Sequence, residues 1–129
     1  MVDDRLTDGR RLAELLASEL DGLGGTLAGV AVTDADHDAT PTADGTFAYR
    51  VETGQTDIAA VFIHPDRARV EFGVGQDVAA EAATAEGLRV RPKAVRPPRT
   101  LVFVEDGAEV KRAVAVFEAV VSALAGNGE

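Results

Sequence analysis

The sequence predicts an α+β domain: a mostly antiparallel sheet of five to six strands with helices packed on one face, in the order α-β-β-β-β-α-β-β-α. Three observations carry this. Leucines at helical spacing open the chain, and valines at helical spacing close it. Between them lie alternating or continuous apolar runs of strand length, joined by short turns rich in Gly, Pro and Asp, which favours antiparallel pairing. A single Ala-rich segment interrupts the strands as a short helix.

The first helix is read over Thr7–Leu20, with Thr7 as N-cap and Leu12, Leu15, Leu16 and Leu20 as its apolar stripe. Asp21-Gly22-Leu23-Gly24-Gly25 ends it, and a strand follows over Thr26–Thr33. Asp34–Asp44 is polar and contains a proline, so it reads as an exposed loop. Phe47–Val51 resumes an alternating strand, and Thr53-Gly54-Gln55-Thr56 turns the chain. Ile58–Ile63 is apolar enough for a central strand, and His64-Pro65-Asp66 reverses direction. In the next strand Arg67, Arg69 and Glu71 face one way and Ala68, Val70 and Phe72 the other. A helix over Asp77–Glu86 is closed by Gly87. Leu88–Arg91 alternates again, after which Pro92, Pro97 and Pro98 oppose regular structure. Leu101–Val104 is a buried strand, and the last helix runs over Ala108–Leu124.

That last helix is apolar around much of its circumference. Val110, Val114, Phe117, Val121 and Leu124 form one stripe, while Val116 and Val120 widen it. The second face either packs internally or meets another subunit, which makes Val116 and Val120 the interface candidates.

At 129 residues the chain has the length of one domain, taken as residues 1–129. It contains no cysteine, which excludes disulfides, thiolate nucleophiles and zinc-thiolate sites. Its first residues, MVDDRLTDGRRL, lack the order of a signal peptide, and no apolar run approaches the ~18 residues of a membrane span. The expected location is cytoplasmic, with no membrane partner.

Asp and Glu number 22 against eleven Arg and two Lys, for a formal net charge of -9. This acidic, Lys-poor composition resembles the proteins of salt-loving archaea, and that resemblance implies carboxylates that hold water and limit association at high salt. Against it stands one basic island, Arg89, Arg91, Lys93, Arg96 and Arg99, with no acid among them. Arg and Lys on a Pro-stiffened segment suit a phosphate, a nucleic-acid backbone or an acidic protein segment. The competing reading is a clamp, in which these side chains pair with the protein's own carboxylates. No aromatic lies within the island to stack a base, and the whole-chain charge repels polyanions, so nucleic acid is not favoured.

Other motifs fall short of a site. Asp34, Asp36 and Asp38 open like a calcium loop, but Ala39 and Gly45 stand where glycine and glutamate are needed. Phe72-Gly73-Val74-Gly75 sits between strand and helix, yet Val78 replaces the third glycine of a dinucleotide fingerprint. The histidines are His37, in the acidic loop, and His64, in a turn, while Ser18 and Ser122 lie in helices. No catalytic residue, metal site or cofactor is assigned. In element order the chain is similar to the type III secretion chaperone fold, which implies a small acidic dimeric module that binds other proteins. The expectation is therefore a non-enzymatic binding module that forms a homodimer through its last helix, with anion or nucleic-acid binding at residues 89–99 as the alternative and a small enzyme last.

Overall fold

Leu12, Ala13, Leu16 and Leu20 are all buried on one side of the first helix, as their spacing requires. The computed structural model describes residues 5–22, 27, 29–54 and 56–127. The expected stop at residues 23–25, the strand start at Thr26, and Gln55 of the turn lie outside the described residues. Within them the elements are α1 (Gly9–Gly22), β1 (Val30–Thr33), β2 (Thr46–Thr53), β3 (Thr56–His64), β4 (Arg67–Phe72), α2 (Gln76–Ala85), β5 (Val90–Lys93), β6 (Arg99–Val104) and α3 (Gly107–Asn127). The predicted α+β class and element order both hold.

The strands form one antiparallel sheet in the order β1-β2-β3-β4-β6-β5. The first four strands form a meander, joined by the loop 34–45 between β1 and β2 and by tight turns between β2, β3 and β4. The chain then crosses through α2 to the edge strand β5, and β6 returns to insert between β5 and β4. Val61, Val70 and Val102 are successive cross-strand partners and all are buried. Their face carries the helices: the Tyr49 hydroxyl donates to the Ala13 carbonyl of α1 at 2.7 Å, the Thr100 hydroxyl donates to the Gln76 carbonyl of α2 at 3.1 Å, and Phe72 meets Phe117 of α3 at a ring-centroid distance of 4.9 Å. The sheet's other face carries none of these helices.

Caps differ in detail from the sequence reading. Asp8, one residue beyond Thr7, accepts the Arg11 N–H through Oδ1 at 3.2 Å. At α3, Asp106 Oδ1 accepts the Glu109 N–H at 3.1 Å while Glu109 Oε1 accepts the Glu105 N–H at 2.8 Å, a reciprocal cap that fixes the helix start. Gly75, in the left-handed region at φ 59°, precedes α2 at a point where a Cβ would crowd Val120, so the glycine turn is a packing device.

Two expectations are corrected. Val116 and Val120 are both 0% exposed within the single chain, because α3 is enclosed by the sheet, α1 and α2 together; they are core and not available to another subunit. Pro92 does not break the island's strand, since β5 runs Val90–Lys93 as an edge strand, where a missing N–H costs no ladder bond on its outer side.

Both close-packed regions are open to test. Val116→Asp buries an unpaired carboxylate and should cost roughly 4 kcal/mol or more, giving an unfolded chain by circular dichroism and not a soluble folded monomer. At Gly9 a Cβ would run into the backbone carbonyls of His64 and Arg67. Gly9→Ala should therefore lower the chemical-denaturation stability by about 1–3 kcal/mol, although alanine is the better helix former.

Candidate functional site

Cross-strand register decides which side chains share the open face. Val61, Val70 and Val102 point to the helices, so their sequence neighbours point away. One row across the sheet reads Thr33, Arg50, Ala60, Glu71, Leu101, Arg91. The next reads Phe47, Phe62, Arg69, Phe103 and extends to Arg89, whose carbonyl accepts the Phe103 N–H at 3.0 Å. Arg67, Lys93 and Arg99 complete the positive charge.

Seven of the thirteen basic residues thus lie on this face, against Glu52, Asp57, Glu71 and Glu105, with Asp34 and Asp66 at its margin paired to Arg50 and Arg67. The other six basic residues share the rest of the chain with sixteen acids, so a face of formal charge near +1 sits on a remainder near -10. Three of the five phenylalanines are on the same face.

Glu71 is the centre of the cluster. Its side chain is 0% exposed and accepts from Arg69 Nε at 3.0 Å, from Arg99 Nη1 at 3.1 Å and from Lys93 Nζ at 3.3 Å. A buried carboxylate is tolerable only when paired, and here one anion is shared by three cations. The cluster keeps a surplus of positive charge. Lys93 and Arg99 remain 41% and 40% exposed, which leaves them able to meet a second anion.

The guanidinium groups are also backed by rings. Arg69 lies 4.6 Å from the Phe62 centroid, Arg89 and Arg67 lie 4.3 and 5.8 Å from that of Phe103, and Arg50 lies 5.4 Å from that of Phe47. Arg69 is held further by the Asp44 carbonyl, which accepts from Nη1 at 3.1 Å. His64 Nδ1 lies 3.0 Å from the Ala43 carbonyl, to which it donates, so Nε2 is the acceptor for Arg69 Nη1 at 3.0 Å. This arrangement requires a neutral imidazole. Burial lowers the His64 pKa below the usual histidine value, and Arg67 and Arg69 add to the effect against the Ala43 carbonyl and Asp66.

At the opposite corner Glu52 and Asp57 hydrogen-bond to each other, which raises the Glu52 pKa above the carboxylate norm. With Asp34, paired to Arg50 at 3.3 Å, they make that corner acidic. The open face is therefore polarised, acidic near the β1–β3 end and basic toward β6 and β5.

Of the island residues, Lys93 and Arg99 bind Glu71, and Arg89 pairs with Glu105 at 3.6 Å. The side chains of Arg91 and Arg96 are exposed and make no ion pair or hydrogen bond among the described residues. The clamp reading thus describes three of the five, and two stay free. Gln76 ties the glycine turn to the island, donating from Nε2 to the Gly73 and Pro98 carbonyls at 3.1 Å each. In the Asp34–Asp38 loop Asp36 Oδ1 accepts the Asp38 N–H, and no group of three potential metal ligands occurs among the described residues. His37 and His64 lie in different surroundings. His37 is exposed and contributes its carbonyl to Arg10, while His64 is buried beside Arg69.

Sequence reasoning did not assign Arg50, Arg67, Arg69, Glu71 or Phe103 to the site. The alternation of Arg67, Arg69 and Glu71 was visible, but their meeting with residues 89–99 depends on β6 inserting beside β4.

Fold and face together define a two-layer α+β domain with an open, basic and aromatic sheet surface. The chain belongs to a family of unknown function (DUF7993), whose model matches residues 1–129. No curated protein and no solved structure matches it.

Glu71→Gln removes the shared anion and leaves Arg69 facing two cations, so it should lower stability by about 2 kcal/mol in denaturant titration. The pH response follows from His64. Its folded pKa is depressed, so the unfolded chain binds the proton more readily. Stability from His64 is full above its ordinary value of 6.5 and is lost as pH falls through 6.5 toward the lower folded value. Denaturation midpoints should fall over that window, and His64→Gln should flatten that part of the profile.

Proposed function

We propose that the protein is a non-enzymatic cytoplasmic binding module whose working surface is the open sheet face, and that its partner is a polyanion carrying phosphate groups. The observation that supports this most directly is the surplus charge around Glu71: three cations on one buried carboxylate, with the unpaired Arg91 in the same cross-strand row and the unpaired Arg96 in the loop that joins β5 to β6. Arginine suits phosphate through its planar fork of donors, and a guanidinium already resting on a ring loses less freedom on binding. Half-buried Phe47 and Phe62 add apolar surface that a base could use. The acidic remainder of the chain confines a polyanion to this face.

The acidic, Lys-poor composition supports work at high salt, where the screening length shrinks to about 3 Å and only contact pairs count. Ring-backed arginines are contact sites of that kind. The polarity of the face favours a second reading, self-association, because a two-fold pairing can lay the acidic corner of one copy on the basic corner of the other. This route replaces the one through α3.

Fluorescence anisotropy with a labelled oligothymidine tests the first reading. Affinity should fall with salt, and an Arg91→Ala/Arg96→Ala double variant should reduce the log–log salt slope by about 1.4 while leaving the fold intact. Binding that ignores both salt and the double variant would contradict it. Sedimentation tests the second: a dimer at tens of micromolar that Arg91→Glu dissociates supports self-association, and a monomer at every concentration removes it.

A further inference from the structure

On the helix side of the sheet, away from the basic face, α1, the strands β1–β3 and loop 34–39 enclose a cleft of about 430 Å³. That size lies in the range of small-molecule sites. Its space exists because Ala13, Ala17, Ala35, Ala39 and Ala48 line it where larger apolar residues would close it. Tyr49 and Ile63, both buried, form the floor. The Tyr49 hydroxyl is already committed to the Ala13 carbonyl at 2.7 Å, so the floor offers shape and apolar surface only.

The charges sit at the rim. Arg10 lies 3.8 Å from Glu14, and its Nη2 donates to the His37 carbonyl at 2.6 Å, which latches the loop to α1. Asp21 and Asp36 have no cationic partner among the described residues: Asp21 Oδ1 accepts the Val32 N–H at 3.3 Å and Asp36 Oδ1 the Asp38 N–H at 3.0 Å. The charge of Asp21 reaches the cleft, since it adds to the burial that raises the Tyr49 pKa. An apolar hollow with two uncompensated carboxylates at its mouth selects a ligand with an apolar body and a cationic end.

We propose that this cleft binds a small organic ammonium ion, its apolar part on the alanine-lined floor and its charged nitrogen against the carboxylates of Asp21 and Asp36. An organic acid of the same shape meets the same carboxylates as a repulsion. Loop 34–39 forms one wall, tied to α1 by the hydrogen bond from Arg10 and to β2 by the Asp36 N–H, which donates to the Ala48 carbonyl at 2.8 Å.

The test uses two probes of one shape, phenethylammonium and 3-phenylpropionate, titrated into the full chain and followed by amide NMR. Phenethylammonium should give saturable shifts at Ala13, Ala17, Val32 and Ala48, and 3-phenylpropionate should bind at least about tenfold more weakly. Asp21→Asn/Asp36→Asn keeps both backbone hydrogen bonds available and should weaken the ammonium by about tenfold or more. Ala17→Leu fills the cleft and should abolish the shifts while raising the denaturation midpoint. No saturation by the ammonium up to about 10 mM overturns the proposal. Equal binding of the two probes, or an affinity unchanged in either variant, overturns it as well.

Discussion

A carboxylate buried without water must be neutralised, and in this protein Glu71 is neutralised by three cations from three different strands. Arg69 shares its strand, Lys93 comes from the edge strand β5, and Arg99 begins β6. The edge strand is only four residues long, so its own ladder is short. The tie from Lys93 to Glu71 spans from β5 over β6 to β4 and fixes the edge where hydrogen bonds alone hold it poorly. The same interaction orders the cations on the open face. Architecture and candidate surface therefore depend on one side chain.

The two faces of the sheet solve different problems. Toward the helices, Val61, Val70, Val102, Phe72 and Phe117 make a dry core in which α3 is enclosed on several sides. Toward solvent, phenylalanines alternate with arginines, and the guanidinium groups cover ring surface that water would otherwise meet. Covering a sheet face in this way leaves it charged and discourages non-specific sheet stacking. It also concentrates positive charge on a chain that is strongly negative elsewhere.

Much of the architecture was legible because it rests on local patterns. Leu12, Leu16 and Leu20 marked α1, and the alternation of Arg67–Phe72 gave both the strand and its two faces. The island's five residues were visible as a charge run. What they pair with was not, because strand order is a non-local property: β6 inserts beside β4, and only then does Glu71 lie under Lys93 and Arg99. The same limit misdirected the reading of α3. A helix apolar on two sides can meet a second subunit or be enclosed by its own chain, and Val116 and Val120 are enclosed. The aromatic content of the site was hidden for the same reason, since Phe103 stacks with Arg89 across a strand pair and not along the sequence.

The proposed function places the working surface on the open face of the sheet. The most direct measurement is an amide NMR shift map recorded while short-chain inorganic polyphosphate is added. Shifts concentrated at Arg69, Arg91, Lys93, Arg99 and Leu101, with the helices unmoved, are the result this structure predicts. Shifts centred on the helix layer, or none at all, would contradict it.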